Sequence, residues 1–278
     1  MENSLIFTLL GTGSSGGVPR VGNQWGNCDP NDPHNRRRRC AMLVRRFSPT
    51  GDSVTSVLID AGADLREQLL AAAVTHLDGV LLTHSHADHI FGLDDLRQLA
   101  ITMKLTIPVH MDEPTRDIVM RSFEYVFHQA PGSSYPPFCT EHKIEHQRVT
   151  SISGNGGCIE AIPLRVEHGD IEALGFRIGS LAYLPDMKRM VDETSLQALQ
   201  NVHTLVVDAL RFKPHPSHMN LQESLQFIDQ IKPNRAILTN MHTDLDYAEL
   251  QATLPENVVP GYDGMEIIAQ LDRPDLTS

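Results

Sequence analysis

The segment LLTHSHADHI (residues 81–90) crowds four metal-ligating side chains directly behind an apolar run. They are His84, His86, Asp88 and His89. On an extended segment His84 and His86 project from the same face, and Asp88 and His89 then begin a helix, so the four can converge. Because four ligands this close cannot all reach one ion without strain, the fold must bring further ligands from distant strand ends.

Short β-branched runs recur along the chain and predict strands at 4–11, 41–47, 54–60, 79–84, 106–110, 158–166, 174–178, 204–210, 235–240 and 265–269. Between several of them lie the helical patterns DLREQLLAAA, HIFGLDDLRQLA, EPTRDIVMRSFEYVF, ETSLQALQ, NLQESLQFIDQI and DYAELQATL. Asn220 with Glu223 indicates a capping box. We therefore predict one layered α/β domain over residues 1–278 with sheet at its centre, since no repeat or obvious linker divides it.

The composition limits the class of protein. The chain is 41% hydrophobic and 21% charged, and without an apolar run of about eighteen residues it is typical of a soluble globular protein and not of a membrane protein. Its start shows no export signal, and its four cysteines form no CxxC pair, so we expect a cytoplasmic protein with reduced thiols. The net charge of −12 argues against a large nucleic-acid partner, whereas a small anionic substrate needs only a local positive site.

Three further candidate ligands follow predicted strands. His168 lies in VEHGD, Asp186 in LAYLPD and His242 in ILTNMH. A lone histidine is more often a satisfied core or surface residue than a ligand. The shared placement of these three residues at the carboxyl ends of strands nevertheless favours a common site.

The order THSHADH, His168, Asp186, His242 resembles the metallo-β-lactamase superfamily. That resemblance implies an αββα sandwich, two mixed β-sheets flanked by helices, with two metals at one edge. The segments GTGSSGGVPR, CDP, RRRRC, YLPD, HPSH and YDGM are similar to those of the PhnP-type phosphodiesterases. They imply a metal-dependent hydrolase that cleaves a small phosphodiester, cyclic or nucleotide-like.

The resemblance also implies the role of each ligand. It assigns one metal to His84, His86 and His168, the other to Asp88, His89 and His242, and a bridging position to Asp186. Two zinc or manganese ions held in this way can share a hydroxide whose pKa falls towards neutrality, which is the nucleophile that a phosphodiester needs. Asp88 could orient the attacking water as well as bind its metal.

Other residues are candidates for proton transfer and substrate contact. The resemblance implies that His218 is the general acid, although a capping or surface histidine ahead of the helix near Asn220 is the alternative. His215 is a weaker candidate for a substrate-phosphate contact. Asp60 ends a strand where superfamily members keep an aspartate beside the metals, so it could orient a ligand histidine.

Two long loops, 11–39 and 128–142, are expected to be functional or mobile. The GTGSSGG stretch is not read as a dinucleotide fingerprint, because Pro19 follows it and no helix does. The run Arg36 to Arg39 is either a solvated basic turn or a functional element. In the second case one or two of its guanidiniums, Arg36 and Arg39 among them, fork onto a substrate phosphate or brace the loop against carboxylates.

One departure from the PhnP pattern concerns an extra structural zinc. That site would need three close cysteines and a histidine, whereas this chain has only Cys28 before Cys40 and carries Leu245 three positions after His242. We expect the extra zinc to be absent, and the substrate of the namesake cannot be transferred to this chain.

Several alternative functions remain open from the sequence. A tRNA 3′-processing nuclease of the RNase Z type would be expected to carry an inserted basic arm, and none is visible. A secreted β-lactamase would need an export signal, and glyoxalase II a helical C-terminal domain. A metal-binding sensor without turnover is the alternative outside enzymes, and a homodimer is possible in any of these cases.

Overall fold

The protein, a computed structural model that describes residues 4–271, contains fifteen strands and seven α-helices within this range. The strands are β1 (Ser4–Gly11), β2 (Ala41–Phe47), β3 (Val54–Ile59), β4 (Gly79–Leu81), β5 (Ile107–Met111), β6 (Cys139–Lys143), β7 (Thr150–Gly154), β8 (Gly157–His168), β9 (Ile171–Ile178), β10 (Leu181–Leu184), β11 (Arg189–Met190), β12 (Thr204–Asp208), β13 (Arg235–Thr239), β14 (Val258–Pro260) and β15 (Glu266–Gln270). The helices are α1 (Leu65–Ala71), α2 (Ala87–Ile90), α3 (Leu96–Met103), α4 (Glu113–Phe127), α5 (Glu193–Gln197), α6 (Leu221–Ile231) and α7 (Tyr247–Thr253).

The strands form two mixed sheets. The first has the order β15-β1-β2-β3-β4-β5-β6, and the second has the order β11-β8-β9-β10-β12-β13-β14, with β7 paired to β8. In each sheet the antiparallel strands precede a parallel series, β3 to β6 in the first and β10 to β14 in the second. The predicted αββα sandwich, two mixed sheets flanked by helices, is confirmed.

Alternation along the strands builds three apolar layers, because successive side chains point to opposite faces of a sheet. Met42 and Val44 of β2 pack between the two sheets, together with Phe176 and Tyr183 from the second sheet. Leu43, between them in sequence, belongs instead to the layer that packs under α1, α3 and α4. A third layer joins the second sheet to α6 and α7.

The carboxyl ends of the parallel strands carry the polar residues of interest. Asp60 follows β3, His84 follows β4 and Asp186 follows β10, while Asp208 ends β12 and His242 follows β13. Parallel strands end at one edge of their sheet, so these side chains collect at the same end of the sandwich.

Most predicted elements are present, including α4 over its full predicted length and the capping box of Asn220 and Glu223 at α6. The predicted helix after His89 is wrong in one respect, since a 3-10 turn at Leu93–Asp95 separates α2 from α3. The backbone of Gly92 packs there against Gly62, so closely that a Cβ atom at residue 92 would lie 2.1 Å from Gly62 O. The backbone N–H of Gly92 donates to Ala61 O at 2.8 Å and so leaves the hydrogen-bond ladder that would join α2 to α3.

The predicted domain of residues 1–278 includes 1–3 and 272–278, which lie outside the described residues, so its extent stays a prediction. Within residues 4–271 no helix has the length and apolar character needed to cross a membrane.

Candidate metal centre

Three imidazole nitrogens converge at the carboxyl edge of the sheets. His86 Nδ1 lies 3.0 Å from His84 Nε2 and 3.1 Å from His168 Nε2. Burial, followed by the charge of His89, holds the pKa of His84 well below its usual value, so this side chain is neutral. Neutral imidazole nitrogens facing one another at this distance lack enough protons to satisfy all their lone pairs. The arrangement therefore fits a divalent cation between them.

The opposite ring nitrogens fix the orientation of these ligands. His168 Nδ1 donates to the carbonyl of Ser217 at 2.9 Å, which leaves Nε2 as an acceptor facing the centre. The hydroxyl of Thr83 donates to Asp60 and lies 3.0 Å from His84 Nδ1, so it accepts from that nitrogen and again frees Nε2. Both tautomers follow from these partners and suit metal binding.

A second group of donors consists of His84, His89 and Asp186, all buried. His89 Nδ1 lies 2.7 Å from Asp60 Oδ2, and His89 Nε2 lies 3.1 Å from Asp186 Oδ2. Burial lowers the pKa of His89, but the charges of Asp186 and Asp60 outweigh it and raise this pKa well above its usual value. A proton thus holds the place between His89 Nε2 and Asp186 Oδ2 that a divalent cation could take.

Asp88 lies at the start of α2, with one carboxylate oxygen 3.4 Å from His89 Nε2. The close approach of two chain segments positions this helix. A Cβ atom at Gly62 would lie 1.8 Å from the carbonyl oxygen of Asp88, so only glycine permits the contact. The backbone of Ala61 donates to His89 O at 2.8 Å and locks the same turn.

His218 joins a third group of donors with His168 and Asp186. Its Nδ1 lies 2.7 Å from Asp208 Oδ2 and 3.7 Å from Asp186 Oδ1. Burial lowers the pKa of His218, but the Asp208 carboxylate outweighs this and raises it to about 9. Asn240 donates to both carboxylates, at 3.1 Å to Asp186 and 3.2 Å to Asp208. His218 is therefore an imidazolium at neutral pH, held beside the donor groups.

His242 lies outside these three groups of donors, which include every such group among residues 4–271. Its Nδ1 is 2.9 Å from Asp244 Oδ1. Burial, followed by the charge of Arg20, lowers its pKa, so the ring is neutral. Its assignment and that of Asp88 as ligands of a second ion stay predictions.

The residues that sequence reasoning missed are Asp208, Asn240 and Thr83. Asp208 is fully buried and accepts from the backbone of Met187 at 3.0 Å as well as contacting His218. The signal was available, because Asp208 ends the apolar strand TLVVD just as Asp60 follows VTSVLI. The pattern that made Asp60 a candidate to orient a histidine therefore also indicates Asp208.

The predicted substrate contacts lie in two places. His215 is half-buried, and its ring centroid is 5.1 Å from that of His218. Arg39 Nη1 is 2.8 Å from Asp64 Oδ1, so its guanidinium already has a carboxylate partner. Arg36 is exposed and its guanidinium carbon lies 5.2 Å from the centre of the Trp25 ring.

The first long loop is anchored by polar contacts with the C-terminal part of the chain. Arg38 pairs with Asp263 at 3.1 Å, and Asn35 donates to Asp246 at 2.7 Å. Arg37 is buried and donates to His242 O at 3.5 Å and to Cys28 Sγ at 3.9 Å. These contacts brace the loop beside the predicted ligand His242.

Comparison with known proteins identifies the fold family. The model of the β-lactamase superfamily domain matches residues 55–241, more than half of the chain. The crystal structure of a diphosphatase of the PhnP family is 33% identical, covers 97% of this chain and 98% of its own, and superposes with a TM-score of 0.82.

Two curated relatives carry different names. An octanoyltransferase of Porphyromonas gingivalis is 34% identical over 265 residues, which are 94% of this chain and 51% of that protein. A ribonuclease Z of Bradyrhizobium diazoefficiens is 32% identical over 192 residues, 65% of this chain and 54% of that protein. The chain thus spans about half the length of these relatives. With the domain match and the full-length structural match, it belongs to the β-lactamase superfamily and, within it, to the PhnP-like proteins.

Proposed function

We propose that the chain is a dinuclear metal-dependent hydrolase that cleaves a small phosphodiester. The observation that carries this proposal is the pair of donor groups that share His84, beside the His218 imidazolium, which a buried carboxylate holds. A metal-binding sensor would need the donors but has no use for His218 in its charged form.

The ligands divide between two ions as the resemblance implies. His84, His86 and His168 would hold one, and Asp88, His89 and His242 the other, with Asp186 shared, although Asp88 and His242 lie outside the observed donor groups. Zinc or manganese bound in this way would supply Lewis acidity towards water and the phosphoryl oxygen. Asp60 and Ser217 O keep the ligand imidazoles in the tautomers that this requires.

His218 supplies the proton that a leaving alkoxide needs. At neutral pH it is charged because Asp208 raises its pKa to about 9, and hydrolysis leaves it neutral after the transfer from Nε2. His218 Nδ1 donates to the Asp208 carboxylate, and Asn240 donates to the same carboxylate and holds it in place. Nε2 is therefore the ring nitrogen that is left for the substrate. Asp208 is a positioning residue, because it acts through His218.

The substrate is a small molecule and not a large nucleic acid. The net charge of −12 opposes binding along a polyphosphate backbone, and the PhnP-family relative is named a diphosphatase. A small diester or diphosphate ester, with a local positive site to receive it, agrees with both facts.

Metal analysis and a diester assay test the proposal. Purified protein should hold close to two equivalents of zinc or manganese and hydrolyse bis-p-nitrophenyl phosphate. Asp186→Ala should lose both activity and metal. Asp78→Ala is the control, because Asp78 lies outside the donor groups and pairs with His76 at 2.9 Å; this variant should keep the metal. Metal-replete protein that is inert towards phosphodiesters, cyclic nucleotides and phosphoribosyl cyclic phosphate would refute an enzymatic role.

A second candidate substrate class is suggested by the relative from Porphyromonas gingivalis, whose name describes octanoyl transfer. The same centre could direct water at an octanoyl thioester instead of a phosphodiester. Assaying octanoyl-coenzyme A beside the diesters, at equal concentration and with Asp186→Ala as the blank, separates the two. Faster release of the thiol than of p-nitrophenol would favour the acyl substrate.

A further inference from the structure

The turn that carries the predicted ligand His242 is held by the first long loop of the chain. The backbone of Asn27 donates to Thr243 O at 2.9 Å. The Cys28 thiol is buried and lies 3.5 Å from Thr243 O and 3.4 Å from Leu245 O. Carbonyl groups of the turn thus find their donors in a segment more than 200 residues away in sequence, so the shape of the turn depends on the loop.

Asn35 is the centre of this contact, since it is fully buried and uses all four hydrogen-bonding positions of its side chain. Its amide nitrogen donates to Asp246 Oδ2 at 2.7 Å and to Asp29 O at 3.2 Å. Its amide oxygen accepts from the backbone of Tyr247 at 2.8 Å and from Arg37 Nη2 at 3.2 Å. Because every position of this buried amide is satisfied, it holds the loop and the turn in one relative geometry.

Arg37 joins the same two segments. It is 1% exposed, and none of the ion pairs among residues 4–271 includes its guanidinium. Besides Asn35, the guanidinium reaches His242 O at 3.5 Å and Cys28 Sγ at 3.9 Å. A buried cation without a paired anion is costly, so its other contacts must offset its desolvation. Those contacts lie between the loop and the turn.

The side chains of the turn in turn hold the His242 ring. Its Nδ1 lies 2.9 Å from Asp244 Oδ1 and 3.1 Å from Thr243 Oγ1. At the far end of the turn Asp246, which Asn35 holds, caps the start of α7. Since both partners of the ring belong to the turn, the backbone position of the turn decides where the ring lies.

We infer that Asn35 and Arg37 are positioning residues for the second metal ion, because they hold the turn of residues 242–247 where His242 can reach that ion. The inference rests on the proposed function, which assigns His242 to the second ion, and extends it to residues that touch neither metal nor substrate. A preorganised site needs its ligands placed to within about 0.5 Å. Residues that orient a ligand typically contribute about 10–100-fold to metal affinity. The other ion, whose ligands lie on other segments, should not depend on them.

Titration with Co²⁺, whose visible spectrum reports its ligands, tests the inference. The wild type should bind two equivalents, and His242→Ala, the reference for a lost ligand, should weaken one of them. Asn35→Asp keeps the shape of the side chain but sets a carboxylate against Asp246, so it should weaken the same equivalent about tenfold or more, with the same spectral change. Asn31→Asp is the matched control and should bind as the wild type, because Asn31 also donates to a carboxylate, of Asp29 at 3.0 Å, but is exposed.

Two variants of Arg37 separate positioning from a general loss of fold. Arg37→Met should weaken the second equivalent about tenfold or more, and Arg37→Lys, which keeps the charge and one donor group, should restore part of that loss. Wild-type affinity for both equivalents in Asn35→Asp or in Arg37→Met would overturn the inference. If those two variants fail to fold, Arg37→Lys decides, and wild-type affinity in it would overturn the inference as well. Both equivalents retained in His242→Ala would instead refute the proposed division of the ligands between two ions.

Discussion

Replacing Asp208 with asparagine should remove proton donation by His218 without disturbing the metal ligands. Asparagine keeps the shape of the side chain but not its charge. Asp208 is fully buried, with Oδ2 2.7 Å from His218 Nδ1 and 3.0 Å from the backbone nitrogen of Met187. An amide oxygen at the Oδ2 position can still accept both hydrogen bonds and hold the ring, whereas the bond that Asn240 donates to Asp208 Oδ1 at 3.2 Å is lost.

The magnitude follows from the charge of His218. Burial alone lowers the pKa of this histidine, and Asp208 raises it to about 9 against the usual 6.5, which corresponds to about 3 kcal/mol in favour of the imidazolium. Once the amide replaces the carboxylate, the pKa should fall to 6.5 or lower, and at pH 8 about 3% or less of the protein would carry the proton. A step that needs this proton should therefore slow about 30-fold or more.

The assay compares leaving groups, because only a poor leaving group needs the acid. Asp208→Asn should lower kcat about 30-fold or more for an alkyl diester and less than about 3-fold for bis-p-nitrophenyl phosphate. The alkaline limb of the alkyl-diester profile should move to lower pH. Asp78→Asn is the control, since the Asp78 carboxylate likewise contacts a histidine, His76, and accepts from the backbone N–H of Ser56 at 2.8 Å. Equal slowing of both substrates by Asp208→Asn, at full metal content, would refute general-acid catalysis by His218.

Three further substitutions test the architecture around the centre. Gly62→Ala should lower the free energy of unfolding by about 1–3 kcal/mol and reduce the metal content, because the added methyl would lie 1.8 Å from Asp88 O. Thermal unfolding measures the loss of stability. Asp60→Asn should weaken metal affinity about 10–100-fold in chelator competition, since it orients His89 at 2.7 Å. Burial and a neighbouring imidazole lower the pKa of His110 to about 4, so stability falls as the pH drops below 6.5, by about 2 kcal/mol at pH 5. His110→Phe should abolish that loss in urea unfolding.

Each of these expectations has a result that contradicts it. Wild-type stability in Gly62→Ala would mean that α2 can shift away from the loop. Unchanged affinity in Asp60→Asn, with Asp78→Asn as the control, would mean that Thr83 alone orients the ligands. An equal loss of stability between pH 7 and pH 5 in His110→Phe and the wild type would place the acid sensitivity in another group.

Strand ends were the part of the site that the sequence could predict, because a ligand there needs only a local pattern. His84 and His168 each follow or end an apolar run, and the structure brings their Nε2 atoms to the same His86 nitrogen. The sandwich itself was predicted by resemblance, and the layered sheet by the runs of β-branched residues. The break between α2 and α3 was missed because it depends on the contact of Gly92 with Gly62, thirty residues away in sequence.

The partners of the ligands were harder to predict, since they are defined by pairing across the sheets. Asn240 joins Asp186 and Asp208 from a neighbouring strand, and its left-handed backbone, at φ 59°, aims the amide at both carboxylates. Nothing in the run RAILTN distinguishes that asparagine from a turn residue. Buried hydrogen-bond networks of this kind are specified by three-dimensional complementarity, which no local pattern contains.

The arginine run shows how one motif acquires several roles when the chain is extended. Arg37 and Arg39 both form β-bridges, with Val18 and Gly13, so residues 36–39 alternate in direction along the rim of the loop. Arg37 is consequently buried against the backbone of His242, whereas its neighbour Arg36 is exposed above Trp25. Arg37, Arg38 and Arg39 brace the loop through His242 O, Asp263 and Asp64, so the run is not simply a solvated basic turn. Because alternate residues of an extended segment point in opposite directions, one sequence motif supplies both a buried brace and an exposed guanidinium.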